Sequence, residues 1–156
     1  MSERITLERT YKATLDDVWE MWTTKDGIES WWGPDGFAVE VHSIDLRVGG
    51  VLDYSMFAAT PEMVKAMEQM KMPARSRHKM RYTEVTRHTR IAYQHAMDFV
   101  PGVAPYEIGH AVEFFAKGDE VRMVVAFEPM HDAIWTQRAT AGWNMELDKL
   151  GKALAR

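Results

Sequence analysis

Six histidines are the first side chains in this sequence that could do chemistry. His42, His78, His88, His95, His110 and His131 are scattered, and none stands two or four residues from another. A metal site built on one element needs such spacing, so no metal ligand is assigned; only assembly from several strands could make one. His95 and His110 sit mid-strand among apolar neighbours. A histidine there is either a hydrogen-bonded core residue or a polar anchor in an apolar pocket. Tyr54, Tyr82 and Tyr93 can play the same part, because a buried phenol needs a partner. Among carboxylates, Glu40, Asp53, Glu84, Glu107 and Glu113 fall in expected strands. One that faced inward would have a raised pKa and could serve as a general base. Alternation puts Glu107 and Glu113 on the face opposite His110, and Glu40 on the same face as His42. A nucleophile elbow, a phosphate-cradling glycine loop and a dinucleotide fingerprint are all missing. No catalytic residue is assigned and no cofactor is implied.

The apolar side chains say more. The chain has six tryptophans and twelve methionines. Two tryptophans are adjacent in Gly27-Ile28-Glu29-Ser30-Trp31-Trp32-Gly33-Pro34-Asp35-Gly36-Phe37. Each indole has a large area to bury and a ring N–H to satisfy, and Gly33-Pro34 and Asp35-Gly36 are turn pairs. A short helix carrying indoles therefore ends sharply there. The indoles anchor a core, wall a cavity, or do both, since a cavity wall is a core with one side empty. Methionine fills irregular space and adapts to varied ligands.

The elements that must position these residues follow from periodicity. Residues 3–12 alternate as a strand. Thr14-Leu15-Asp16-Asp17 resembles a capping box, and Leu15, Val18, Trp19 and Trp22 share one helical face. Thr24 caps a second short helix ending at Trp32. Residues 38–45 and 51–58 pair across Arg47-Val48-Gly49-Gly50, where the glycines make a turn or bulge. Residues 61–72 change period: Pro61 starts a helix, Met63, Met67 and Met70 line one face, and Pro73 stops it. Residues 77–86 and 90–98 form a hairpin, Pro101-Gly102 and Pro105 mark a loop, and 106–116 with 120–128 form a last hairpin. From His131 to Ala155 the stripe Trp135, Ala139, Trp143, Leu147, Leu150 and Leu154 is helical. Gly142 inside that helix suggests close backbone packing against the sheet. Six or seven antiparallel strands with one long C-terminal helix make the fold class α+β.

The totals set limits. A length of 156 residues suits one domain with a sizeable core. A net charge of −4 without a basic cluster argues against nucleic acid. The lack of cysteine removes disulfides and thiolate chemistry. No apolar run is long enough to cross a membrane, and the polar N-terminus does not read as a signal peptide. The expected setting is cytoplasmic.

The order Val18-Trp19, Trp31-Trp32-Gly33-Pro34, Asp45-Leu46-Arg47 with Gly49-Gly50, and Gly142-Trp143 with Leu147 and Leu150 resembles the START-like (SRPBCC, helix-grip) superfamily. Within it, the sequence resembles the branch named after the activator of heat-shock chaperone ATPase. The resemblance implies one START-like domain over residues 1–156: a curved antiparallel sheet wrapped on the C-terminal helix, with two short helices after the first strand. The helix read at 61–72 departs from the family's shorter connection there and is taken as an insert. It also implies a cavity between sheet and helix. The expected wall is Trp32, Tyr54, Met56, Met80, Tyr82, His95, His110, Trp135 and Trp143; Met63, Met67 and Met70 line a helix that either covers sheet surface or forms a lid over the cavity mouth. The expected function is binding of a small hydrophobic or amphipathic molecule. The alternatives are a cyclase or dehydratase using His and Tyr as acid–base groups in the same cavity, and a domain that activates a chaperone ATPase. A homodimer or a chaperone partner is left open.

Overall fold

The structure is a computed structural model and describes residues 4–98, 100 and 102–155. Its elements are β1 (Ile5–Tyr11), α1 (Leu15–Thr23), α2 (Lys25–Trp31), β2 (Phe37–Ile44), β3 (Val51–Ala58), α3 (Pro61–Gln69), β4 (Arg75–Thr86), β5 (Arg90–Met97), β6 (Tyr106–Lys117), β7 (Glu120–Phe127) and α4 (Ala133–Leu154). Glu3 and Pro101, which the sequence places in the first strand and in a loop, lie outside the described residues.

Local chemistry sets the boundaries. The Thr14 hydroxyl accepts the Asp17 N–H at 3.1 Å, the Thr24 hydroxyl that of Gly27 at 3.0 Å, and the Asp132 carboxylate that of Trp135 at 2.7 Å. Each satisfies a donor that a helix start leaves open. At the β2–β3 turn, Gly49 has φ +85°, and a Cβ on Gly50 would run into the Asp45 carbonyl. Two short bonds dock this turn on Tyr82: the Gly49 N–H donates to the Tyr82 carbonyl, and the Tyr82 N–H donates to that of Gly50. The inserted helix is shorter than the sequence predicts. It ends at Gln69, Met70 caps it, and Lys71 at φ 57° turns the chain back toward β4.

All seven strands form one antiparallel sheet in the order β1-β7-β6-β5-β4-β3-β2. Its outer face carries ion pairs. Arg75 meets Glu40, Arg77 meets Asp53, Arg81 meets Glu107, and Arg90 meets both Glu84 and Glu113. All five strand carboxylates singled out as candidate bases therefore face away from the core.

The inner face is packed unevenly. One half is filled. There Leu52, Tyr82, Ile91, Val112, Phe114, Met123 and Val125 are buried together with Val18, Trp19, Trp22, Ile28 and Trp31 of α1 and α2. Trp19 and Trp22 meet Phe114 edge-on at 5.5 and 6.3 Å, and the Trp22 ring N–H points at the Met123 sulfur at 3.2 Å. α4 crosses the same sheet, with Trp143, Leu147, Leu150 and Ala153 buried. The Tyr11 hydroxyl ties it to β1 by donating to the Leu147 carbonyl at 2.8 Å. Among the described residues no helix is long and apolar enough to cross a membrane.

Leu147 and Leu150 are both 0 % exposed. Replacing either with alanine should lower stability by about 2–5 kcal/mol, because transfer and cavity costs add. Urea denaturation midpoints check this; a loss below ~1 kcal/mol at both sites would make α4 peripheral.

Candidate functional site

The other half of the inner face is hollow. A cavity of about 290 Å³ lies between α4 and the ends of β3, β5, β6 and β7 remote from the filled half. Eight of the nine expected wall residues surround it: Trp32, Tyr54, Met56, Met80, His95, His110, Trp135 and Trp143. Tyr82 does not. Its alternation reads correctly, since it faces inward and is buried, but it lies too far along β4, at the end docked on the Gly49-Gly50 turn. Its cross-strand partner Tyr93 lines the cavity instead.

The tandem tryptophans divide the two roles between them. Trp31 is fully buried and donates its ring N–H to the Met21 carbonyl at 2.7 Å, so it is core. Trp32 stands on the cavity wall, edge-on to Tyr54 at 6.2 Å and to Trp143 at 6.2 Å. Gly33 follows at φ +96°, a conformation that favours glycine. Its N–H donates to the Glu146 carboxylate at 2.6 Å, and its carbonyl accepts from the Lys149 ammonium at 2.9 Å. Lys149 also donates to the Phe37 carbonyl at 3.3 Å. Two residues one turn apart on α4 thus grip the turn that carries Trp32.

Among the wall residues that sequence reasoning misses, Glu146 is the buried carboxyl. Burial pushes its carboxyl up to about 7, against the Gly33 N–H and the Lys149 charge. Its signal is its spacing. Trp135, Ala139, Gly142 and Glu146 are four, three and four residues apart, which is one helical face, and all four line the cavity. Gly142 lies on that face for a reason other than the expected one. A Cβ built there meets nothing within 4 Å. The glycine opens onto the cavity rather than packing closely against the sheet.

The polar side chains of the wall, together with His78 of the adjoining small hollow, form a seam across the strands. The Tyr54 ring stacks on His78 at 5.2 Å, His78 Nδ1 and His95 Nε2 are 3.3 Å apart, and His110 stacks on Tyr93 at 4.8 Å. His110 Nδ1 donates to the Ile108 carbonyl at 3.2 Å. Burial lowers all three imidazole pKa values: His78 and His110 to about 4, and His95 well below its ordinary value, with the His110 and His78 charges adding to the effect. Among the described residues no group of three or more His, Asp or Glu side chains has an arrangement that could hold a metal ion. The Tyr93 hydroxyl is buried and has no hydrogen-bond partner among the described residues. The wall residues that also reach the surface include Pro34, Met130, Trp135 and Arg138, so the opening lies at the start of α4.

The methionines of the inserted helix stand apart from this cavity. None of Met63, Met67 and Met70 lines this cavity. Met63 lies against Gly36, and Met67 borders a separate hollow of about 100 Å³ with Phe37, Met56 and His78. Met70 is 56 % exposed, because the helix has ended before it. α3 covers the sheet beside the cavity and not its mouth.

This architecture defines the class: a helix-grip, START-like domain. Residues 12–155 match the family described as Activator of Hsp90 ATPase homolog 1-like protein, and the chain belongs to that family. Its fold is similar to that of a protein from Chromobacterium violaceum, at 20% identity over 98% of each chain and a TM-score of 0.79. A protein from Arthrobacter aurescens aligns at 14% identity over 99% of this chain and 87% of its own, with a TM-score of 0.77. An AHSA1 protein from Silicibacter pomeroyi aligns at 20% identity over 97% of each chain, with a TM-score of 0.73. No curated protein matches the chain.

The buried histidines predict a pH profile. Each is held neutral in the fold but takes up a proton near pH 6.5 when unfolded. Below that value the unfolded chain binds more protons, so stability falls as pH drops from 6.5 toward about 4. Glu146 acts with the opposite sign: its folded carboxyl stays protonated to about 7 while the unfolded one ionises near 4.5. Three imidazoles outweigh one carboxyl. Urea midpoints should therefore rise from pH 4 to 6.5, Glu146→Gln should steepen the rise, and His110→Gln should flatten it. A flat wild-type profile would mean that the imidazoles are not held neutral.

Proposed function

We propose that this chain binds a small hydrophobic or amphipathic molecule in the cavity between its sheet and α4. The observation that carries this reading is a hollow of about 290 Å³ left open beneath a glycine in mid-helix. A water molecule takes about 30 Å³ of liquid, and an apolar hollow of this size is costly to leave unfilled. Glycine in a helix interior costs a further ~1 kcal/mol against alanine. Two local losses of stability on one face are what a site built to admit another molecule requires. The wall suits such a molecule: indoles, methionines and phenylalanine supply contact area, and a few polar groups fix orientation. The reading takes residues 1–156 as one START-like domain, and the lack of cysteine suits a reducing, cytoplasmic setting. Among the described residues, the large apolar side chains that are exposed, Val48, Met70, Phe115, Ile134 and Met145, are spread over several elements. They give less support to a chaperone-docking face than the hollow gives to ligand binding.

The neutral dye N-phenyl-1-naphthylamine tests the reading. It should bind with micromolar affinity, gain fluorescence and quench the wall tryptophans Trp32 and Trp143. Gly142→Leu puts a side chain into the hollow and a better helix former into α4. That variant should melt no lower than the wild type and bind the dye at least tenfold more weakly. A wild type that ignores the dye, or a variant that binds it equally well, overturns the reading.

A further inference from the structure

Several polar groups of the cavity wall are already engaged. His110 donates to the Ile108 carbonyl, His95 meets His78, and the Trp32 and Tyr54 rings meet edge-on. Two groups stand out for the bonding capacity they retain. The Tyr93 hydroxyl is buried without a partner among the described residues, in a residue only 1 % exposed. Glu146 receives the Gly33 N–H at 2.6 Å, and a carboxyl has further acceptor sites, or a proton to give. Both line the cavity, Tyr93 from β5 and Glu146 from α4. Burial raises the pKa of the Tyr54 and Tyr93 phenols, and the Glu146 charge adds to the rise in both.

We infer that the cavity takes a neutral molecule whose carbonyl oxygen accepts a hydrogen bond from the Tyr93 hydroxyl, and that Glu146 bars molecules carrying a carboxylate at that end. This rests on the binding reading above and names the class of ligand within it. A hydrocarbon seated against Tyr93 leaves the phenol unpaired, whereas a carbonyl oxygen supplies the acceptor. A carboxylate finds no free cation at that depth. Lys149 is engaged with the Gly33 and Phe37 carbonyls. Burial keeps His95 and His110 neutral. Arg138 stands at the mouth, 5.1 Å over the Trp135 ring. The groups that interact with Glu146 are thus Lys149 on its own helix, the Gly33 N–H, Tyr54 on β3 and Tyr93 on β5. None offers an anion a free positive charge beside Tyr93. Below about pH 7 Glu146 is itself a proton donor to a carbonyl; above it, it is a buried negative charge.

Three naphthalenes of equal heavy-atom count separate these effects: 2-acetylnaphthalene, 2-isopropylnaphthalene and 2-naphthoate. Each is measured by displacement of N-phenyl-1-naphthylamine at pH 8 from the wild type, Tyr93→Phe and Glu146→Gln. The amide introduced by Glu146→Gln keeps an oxygen for the Gly33 N–H, so the turn stays held. Tyr93→Phe should weaken the ketone at least tenfold and leave the hydrocarbon within twofold. Glu146→Gln should strengthen 2-naphthoate at least tenfold and change the hydrocarbon little. An equal response of ketone and hydrocarbon to Tyr93→Phe, or no gain for the carboxylate in Glu146→Gln, overturns the inference. If the dye binds but none of the three displaces it, the inference falls and the binding reading stands. If the dye also fails to bind, both fall.

Discussion

The bond between the Gly33 N–H and the Glu146 carboxylate, with Lys149 closing on the Gly33 carbonyl, is the contact on which the hollow half depends. It joins the turn after α2 to the middle of α4, residues more than a hundred positions apart. A turn at positive φ has backbone groups that no neighbouring strand can satisfy, and burial makes each costly to leave open. Glu146 and Lys149 satisfy them from one helix face, and in doing so fix the distance between Trp32 and Trp143. The cost falls on the carboxyl. Its proton affinity rises because one backbone donor and one nearby ammonium do not fully replace water. A side chain required by the architecture thereby becomes the most unusual chemical group of the cavity.

The unevenness of the inner face follows from where the indoles go. α1 and α2 deliver Trp19, Trp22 and Trp31 over one end of the sheet, where they reach Phe114 and Met123. That end then has the close packing of an ordinary core. At the other end α4 presents Trp135, Ala139 and Gly142, whose side chains grow smaller toward the middle of the helix, and the strands opposite cannot close the gap. The grip is therefore tight at one end and open at the other. The tight end carries the stability that the open end gives up.

Much of this is legible in the sequence, and the failures share a physical cause. Alternation places Tyr54, Met56, Met80, His95 and His110 on the correct face, because a strand buried on one side has a fixed register. Alternation says nothing about distance along the strand, so it puts Tyr82 at the cavity although that residue belongs to the filled end. Met70 follows the helical period of Met63 and Met67, but a period does not announce the capped end that precedes it. Gly142 has two physical readings, a backbone in close contact or a side chain left out to make room, and only its surroundings distinguish them. Glu146 escapes notice because a charged residue on an amphipathic helix is normally solvated. Its four-three-four spacing with Trp135, Ala139 and Gly142 carries the signal, on a helix rather than on the strands where inward carboxylates are expected.

The similar structures share 14–20% of their residues with this chain, so they speak for the fold and leave the site to be argued from its own side chains. Those side chains form a wall with a particular electrostatic character. The imidazoles of His95 and His110, with His78 behind them, stand in a seam, and burial keeps each from becoming a cation. Beside them stand phenols held as neutral donors and a carboxyl that is protonated under mildly acidic conditions. A cavity whose polar groups are neutral by virtue of burial can orient a ligand by hydrogen bonds without offering it a fixed counter-charge. A charged ligand would have to lose its water with nothing given in return, whereas a neutral molecule with one or two polar atoms loses little. On the binding reading proposed above, selection by charge would be a property of the whole wall, strongest at Glu146.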